Sequence, residues 1–567
     1  MQLVGVGAQN ELVNGNPSMT HFRAVYRRHT NFAMESIRMT FSSSNLEFSA
    51  TGTRTLSCRI DRYSQLLHDT YLILTLPDIW SPLKNTVSVP SGYGSSALAS
   101  NSIGYEFQWV PNIGYNLIDH IDITFNGQVI QRLRGEWLKM YSYLTHDQNK
   151  RQIVDQMVGN VPELYDPANA YDRHGQYPHA ITPLTTPTTS PNTTVPEPSI
   201  RSRQLVIPLH FWFCENPGLA LPLAALQNTD VYVNVTLRNI NDLYTVIDTN
   251  PIRPTFGQRI KPTNDDDTAL KLFLSPPTAA GAPSNPALTT FFPDPYLEGN
   301  FIYLTETEWN QIAIADTAVL IKTVRYVNKE GQFGGNTDLE IPMFNLVTRI
   351  VFASQRSDRL LLNDWDNYTN WTTPSRAPWT AISTNVPTAL YSSGQEQVSS
   401  IYPRDSVVDG VLMFDGKERF QTKPIPYFSL LQMYRHTTGQ TPGLPGVYMY
   451  SFALNHDQYQ PSGAANGSVF NKVVLRVTLQ QPLPQSVAPT TPGGGNIVCV
   501  LKSSIFTPNP VVIPAAQVSL YDPSELLTVV QTNDNVIFTY TYNVGVYVEA
   551  TNFLRIVSGL GNLVFAS

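Results

Sequence analysis

The sequence predicts an all-β protein made of a duplicated antiparallel sandwich, and three observations carry that expectation. Val231, Val233, Val235 and Leu237 alternate with Tyr232, Asn234, Thr236 and Arg238, the period of a strand with one buried and one polar face. Two hairpin signals match each other. Ile121, Ile123 and Phe125 run into Asn126-Gly127 and then Arg132, as Val411, Met413 and Phe414 run into Asp415-Gly416 and then Arg419; these dipeptides supply the positive φ that primed turns need. The third observation is order. Phe211-Trp212-Phe213, the turn Asn216-Pro217-Gly218 and the strand at Val231 follow the first hairpin, and Tyr448, Tyr450 and Phe452, the turn Gln460-Pro461-Ser462-Gly463 and the alternation Val473, Leu475, Val477, Leu479 follow the second. Matched features in one order indicate an internal repeat.

The totals fit that design. At 567 residues the chain exceeds one core, and two sandwiches of about 250 residues each account for it. Hydrophobic residues make up 42% and charged residues only 14%, so the surface is either covered in an assembly or kept soluble by uncharged polar groups. A net charge of −7 argues against a nucleic-acid-binding surface, and no direct nucleic-acid partner is expected. Cys58, Cys214 and Cys499 lack paired or metal-ligand spacing and read as reduced, buried thiols. The N-terminus shows no secretory signal and no apolar run reaches a membrane-spanning length.

Taken in order, residues 1–24 read as an arm in which Gly, Asn and Pro deny regular structure, with a short helix from Met19 to about Tyr26 capped by Ser18. Strands begin at Ile37, and Tyr71 to Leu76 is an apolar run suited to burial on both faces. After the Asn126-Gly127 hairpin, Trp137, Leu138, Tyr141 and Leu144 share one face of a helix. The Pro, Thr and Asn-rich stretch 159–203 reads as a long exposed loop. A first unit over 25–249, a linker with a loop over 250–296 and a second unit over 297–567 complete the division. The second unit is expected to open with the strand Phe301 to Leu304, followed by a short helix over Glu306 to Ala313, strands over Ala318 to Val327 and Leu346 to Ala353, and a polar loop over 363–400. The longest alternation runs from Val536 to Val548, and Asn552 to Leu563 supplies a last strand.

The chemistry-bearing motifs are missing. There is no nucleophile elbow, zinc helix, Cys-x-x-Cys pair or phosphate loop, so no catalytic residue, metal site or cofactor is assigned. His68-Asp69, His146-Asp147 and His456-Asp457 are adjacent pairs whose side chains would diverge on a strand, and Asp265-Asp266-Asp267 lacks the ligand spacing of a calcium loop. Sequons at Asn192, Asn367, Asn370 and Asn466 are candidate glycosylation sites, with a further sequon at Asn234 inside a strand. The basic cluster Arg23, Arg27, Arg28 and His29 reads as a solvated face or as a contact with a subunit, an acidic partner or lipid phosphate.

The stretch Gly15-Asn16-Pro17-Ser18-Met19-Thr20-His21-Phe22-Arg23, continuing through Tyr26-Arg27-Arg28-His29 to Phe32, resembles the N-terminal signature of the major capsid proteins of nucleocytoplasmic large DNA viruses. Gly135-Glu136-Trp137-Leu138, the passage Phe211 to Pro222, Tyr450 to Leu454 with Gln460 to Gly463, and Asn552 to Gly561 are similar to the same family. The likeness runs through the scaffold and leaves out the long loops. It implies two tandem eight-stranded antiparallel jelly rolls, that is a double jelly roll with short helices and long loops. It further implies homotrimers that form pseudo-hexameric capsomers, contacts with neighbouring capsomers and minor capsid proteins, and a place in the icosahedral shell of the virion after synthesis in the host cytoplasm. The arm would face inward, near an internal viral membrane, with Arg23, Arg27 and Arg28 as candidate inner-face contacts. The loops at 81–102, 159–203, 363–400 and 436–446 would face outward.

Two other classes are weighed against this structural role. A carbohydrate-binding or adhesive β-sandwich would use Trp365, Trp371 and Trp379 as stacking surfaces, and a glycoside hydrolase would need paired carboxylates in a cleft.

Overall fold

The turns set the strands. Asn126 and Gly127 adopt φ of 48° and 85°, and Asp415 and Gly416 adopt 50° and 77°, so both dipeptides form left-handed two-residue turns that match strand twist. Each joins a pair of strands in register, Phe125 opposite Gln128 and Phe414 opposite Lys417. The computed structural model describes residues 7–26, 28–43, 45–50, 52–81, 105–180, 197–247, 259–263, 268–276, 290–357, 359, 363–370, 404–439, 444–458, 460–480, 496–501, 512–513, 526–532, 535–537 and 541–565.

Among the described residues, eight strands build the two main sheets of the first unit: β1 (Phe32–Thr40), β2 (Arg54–Arg59), β3 (Leu66–Leu76), β4 (Ile118–Phe125), β5 (Gln128–Arg134), β6 (Arg203–Pro208), β7 (Val231–Leu237) and β8 (Tyr296–Leu304). Eight build the second: β9 (Thr317–Gln332), β10 (Gly335–Glu340), β11 (Leu346–Arg356), β12 (Val407–Phe414), β13 (Lys417–Glu418), β14 (Val447–Ser451), β15 (Val473–Leu479) and β16 (Tyr542–Val557). The first unit pairs them as β1-β8-β3-β6 and β2-β7-β4-β5; the second as β9-β16-β11-β14 and β10-β15-β12-β13. Adding eight to each strand of the first unit yields the second. All these pairings are antiparallel, and the fold is a double jelly roll. The repeat extends to accessory pairs: Leu221–Pro222 adds to β3 as Ala465–Asn466 adds to β11.

Alternation places the cores. On β7 the valines are buried and Tyr232 and Asn234 half-buried, and β15 repeats the pattern with Val473, Leu475, Val477 and Leu479 inside. One apolar core fills the first unit and continues into the second through Ile321, Val351, Tyr547 and Leu554, while a second cluster around Leu412, Phe428 and Val546 fills the other sandwich.

Several expectations are corrected. The strand placed at the start of the second unit is β8, which lies between β1 and β3 and closes the first sandwich. Phe273 and Leu270, expected in a linker, pack in the first core, so the passage between the units falls on α3 (Glu306–Ile314). Of the stretch 159–203 expected to be a loop, residues 159–180 and 197–203 fold against the first unit, with Leu164, Ala170, Tyr177 and Ile200 buried, anchored by apolar residues scattered among the polar ones, and residues 181–196 lie outside the described residues. The arm's helix is Ala8–Asn14, not 19–26. Residues 552–557 continue β16 and turn back at Ser558-Gly559 into Leu560–Leu563. The acidic run 265–267 and most of the polar loop over 363–400 lie outside the described residues.

The expected helix is α1 (Gly135–Thr145), with Trp137, Leu138 and Leu144 buried. Gly135 opens it because a Cβ there would meet the Ile118 and Tyr115 carbonyl oxygens at 2.2 Å. The next helix, α2 (Gln148–Val158), lies outside the sequence expectations, although Asp147 caps it through Lys150 N at 2.7 Å and Gly159 ends it at φ 76°.

Candidate assembly surface

The joint between the two units is built on α1. Glu136 accepts hydrogen bonds from Tyr368 Oη at 2.8 Å and Tyr547 Oη at 2.5 Å, both from the second unit. The Trp137 ring packs 5.3 Å from that of Tyr547. Behind it, Arg349 on β11 is fully buried, donates through Nε to Glu549 Oε2 at 2.7 Å, and pairs with Asp457 at 3.4 Å. Its guanidinium faces the Trp137 and Tyr141 rings at 5.5 and 5.7 Å, so the second unit's buried charge rests on the first unit's aromatic face. One turn along α1, buried Lys139 pairs with Asp366, which also accepts from Asn112 and Asn116 at 2.6 and 2.9 Å.

A second seam runs along β9. Lys322 pairs with Glu215 at 2.9 Å and donates to His456 O at 2.9 Å. Burial works to lower its pKa, but the Glu215 and Glu549 carboxylates outweigh burial and hold it above the ordinary lysine value. Gln131 on β5 donates to Lys322 O at 2.8 Å and accepts from Trp212 N at 3.3 Å. Beyond this, Thr229 Oγ1 and Asn228 Nδ2 donate to Gly559 O and Ser558 O at 2.9 and 3.1 Å, and a Cβ on Gly561 would meet Leu226 and Phe125 at 2.9 Å. Directional bonds and close packing over this length fix the angle between the sandwiches.

On the other side of α1, His210 lies 4.8 Å from the Tyr141 ring and 5.5 Å from His146. Burial, followed by the neighbouring His146 and Lys150, pushes His210 down to about 3, and burial pushes His146 down to about 4. A histidine held neutral when folded binds its proton in the unfolded chain first. Stability therefore falls as pH drops below the unfolded histidine value near ~6.5 toward those folded values. The expected result is a wild-type Tm that drops faster than that of H210Q between pH 7 and 5 in calorimetry; the carboxylates common to both proteins cancel in the difference.

The residues singled out from sequence are dispersed. Arg23 and Arg28 are exposed on the arm, and Arg27 lies outside the described residues. Asn466 is exposed, its Oδ1 accepting from Ser468 N at 3.1 Å, whereas Asn367 and Asn370 have no exposed surface, so a glycan at either has no room in the folded chain; Asn192 lies outside the described residues. Asn234 accepts from Ser57 Oγ at 2.7 Å within the sheet. Trp365 is half-buried, donating to Asp242 O at 2.8 Å beneath Arg238, and Trp371 and Trp379 lie outside the described residues. Two His-Asp pairs do not diverge: His68 and Asp69 approach to 3.5 Å and His456 and Asp457 to 3.3 Å, the latter because the chain bends there rather than running as a strand. Cys58 and Cys214 are free thiols, each pushed up to about 12 by burial; the Cys499 side chain lies outside the described residues. Among the described residues no group of acidic, His and Cys side chains is arranged to hold a metal, and no helix is long and apolar enough to cross a membrane.

Two family models match successive parts of the chain. Residues 20–274 match the major capsid protein N-terminus, and residues 308–505 match the large eukaryotic DNA virus major capsid protein. The chain belongs to the major capsid protein family of nucleocytoplasmic large DNA viruses. The major capsid protein of Phaeocystis pouchetii virus is 26% identical over 547 residues, covering 86% of this chain and 94% of that one. That of Paramecium bursaria Chlorella virus 1 is 24% identical over 582 residues, covering 100% and 99%. Among solved structures, the Faustovirus major capsid protein superposes with a TM-score of 0.59 at 11% identity over 97% of this chain and 95% of its own. A chain of the PBCV-1 virus capsid does so with 0.58 at 19% over 97% and 100%. The solved structures share the double sandwich from end to end; of the joint described above, Glu136, Trp137, Lys139 and Arg349 lie inside the regions that the family models match, and Tyr547, Glu549 and Gly561 lie beyond residue 505.

Proposed function

We propose that this major capsid protein works as a structural shell subunit whose three copies associate into a capsomer with six similar sandwiches. The supporting observation is the strand-for-strand repeat, β1–β8 against β9–β16, held at one angle by the buried joint. Two like units per chain and three chains per particle approximate sixfold symmetry, the shape that tiles a hexagonal lattice. In this reading the division is an arm over 1–24, a first unit ending with β8 and a second beginning with β9. Neighbouring capsomers and minor capsid proteins are its partners, and Arg23, Arg27 and Arg28 on the arm meet the inner side of the shell, near a membrane. Assembly takes place in the host cytoplasm, and the function lies in shape and edges with no reactive group. Light scattering with mass determination on the purified chain tests it: the expected mass is that of three chains, with a three-lobed outline in electron micrographs. A chain that stays monomeric up to high concentration overturns the proposal.

A further inference from the structure

Under the joint, three side chains meet in an arrangement that the shell role does not use. Lys139 on α1 is 1% exposed, and Asn116, at the end of the buried helical turn Ile113–Asn116, is 2% exposed. Asp366 reaches them from the second unit. Its Oδ1 accepts from Lys139 Nζ at 2.5 Å and from Asn116 Nδ2 at 2.9 Å, so one carboxylate oxygen touches both groups. Lys139 Nζ also lies 3.4 Å from Asn116 Oδ1.

The surroundings fix how the Asn116 amide is turned. Its Nδ2 faces two acceptors, the Pro111 carbonyl at 2.7 Å and the Asp366 carboxylate, which leaves Oδ1 toward the lysine. Asn112 Nδ2 holds the far side of Asp366 by donating to Oδ2 at 2.6 Å, so Oδ1 stays between the other two groups. The Tyr368 ring lies over Nζ at 5.2 Å. A buried ion pair needs only Lys139 and Asp366. Here the ammonium also has an amide carbonyl beside it, and the nitrogen of that amide rests on the same carboxylate oxygen. These are the parts of an acyl transfer: a nucleophilic amine, an acyl group with a nitrogen to lose, and a proton carrier in contact with both.

We propose that Lys139 and Asn116 join in an isopeptide bond, with Asp366 moving the protons. Nζ gives a proton to Asp366 Oδ1, and its freed electron pair forms a bond to Asn116 Cγ. The Cγ–Nδ2 bond then breaks. Both protons that Nζ sheds pass through Asp366 to Nδ2, which leaves as ammonium, and Asp366 ends as the carboxylate it was. No oxidant or further reactant enters. Groups held in contact gain most from such an intramolecular step, and the polar cleft of about 420 Å³ that Asn116 and Lys139 border gives the ammonium a way out. The bond ties the turn ahead of β4 to α1, the helix whose Glu136 and Trp137 hold the second unit. Because Asp366 belongs to the second unit, the bond forms only once the joint has closed. It forms once, as the chain folds, and stands apart from the trimer reading.

Intact mass measurement on the purified, denatured full-length chain tests this. The expected wild-type mass is lower than that of the sequence by one ammonia, and a protease digest is expected to contain one peptide in which the segments carrying Asn116 and Lys139 are joined. Lys139→Arg keeps the cation but has no comparable nucleophile, and Asp366→Asn keeps amine and amide but loses the proton carrier; both are expected at full mass with no joined peptide. A wild-type chain of full mass overturns the proposal whether or not the variants fold. So does an ammonia deficit that maps to a cyclised Asn-Gly pair in place of a joined peptide. A joined peptide that persists in D366N overturns the role given to Asp366.

Discussion

Arg349→Met is expected to destabilise the chain by about 3–5 kcal/mol, because it leaves Glu549 as a buried carboxylate without its cation. Both side chains are sealed from solvent, with Arg349 fully buried and Glu549 at 1% exposure. Asp457, at 3.4 Å from the same guanidinium, loses that cation too and keeps only its contacts with His456 and Thr438. The damage is specific to the unpaired charge and not to the lost contacts. The double variant Arg349→Met with Glu549→Leu is therefore expected to recover most of the loss, since a well-packed apolar pair is often neutral beside a buried ion pair. Thermal unfolding of wild type, both single variants and the double variant forms the cycle that separates the two causes. A double variant as unstable as R349M refutes the electrostatic account.

Trp137→Ala is expected to cost about 3–5 kcal/mol by the cavity it leaves. The indole is buried on α1, touches Tyr547 across the joint and lies under the Arg349 guanidinium. Its removal weakens the contact between the units more than either sandwich. The accompanying readout is limited proteolysis: faster cleavage within Glu306–Ile314, the passage between the two units, separates a loosened joint from general unfolding. Trp137→Phe keeps a ring against Tyr547 and is expected to restore more than half of the loss. Equal loss in both variants, or cleavage unchanged at that helix, runs against a joint-specific role.

Much of this architecture was legible because it rests on local chemistry. Asn126-Gly127 and Asp415-Gly416 announce their hairpins through backbone conformation, and the alternations around Val233 and Leu475 announce buried strand faces. Partnering over long separations was not legible. Nothing between Tyr296 and Leu304 reveals that the strand returns to β1 and β3, since the pattern of a closing strand equals that of an opening one. The joint was hidden for the same reason: Arg349 is 200 positions from Glu549 and 108 from Asp457 along the chain, and only the fold brings them together. Asn367 and Asn370 show the opposite error. A polar, Thr-rich neighbourhood reads as surface, but Asn370 accepts from Tyr542 Oη at 3.1 Å and Asn367 accepts from Thr369 at 2.7 Å inside the second unit.

Among the described residues, strand β1 has a neighbour on one side only, and it presents Phe32 and Met34 to water. An unfinished sheet margin with apolar side chains is a template for unwanted pairing between molecules. Overproduction of the chain is therefore expected to favour clumping as its concentration climbs. Charged replacements on this margin are expected to make the isolated protein easier to keep in solution.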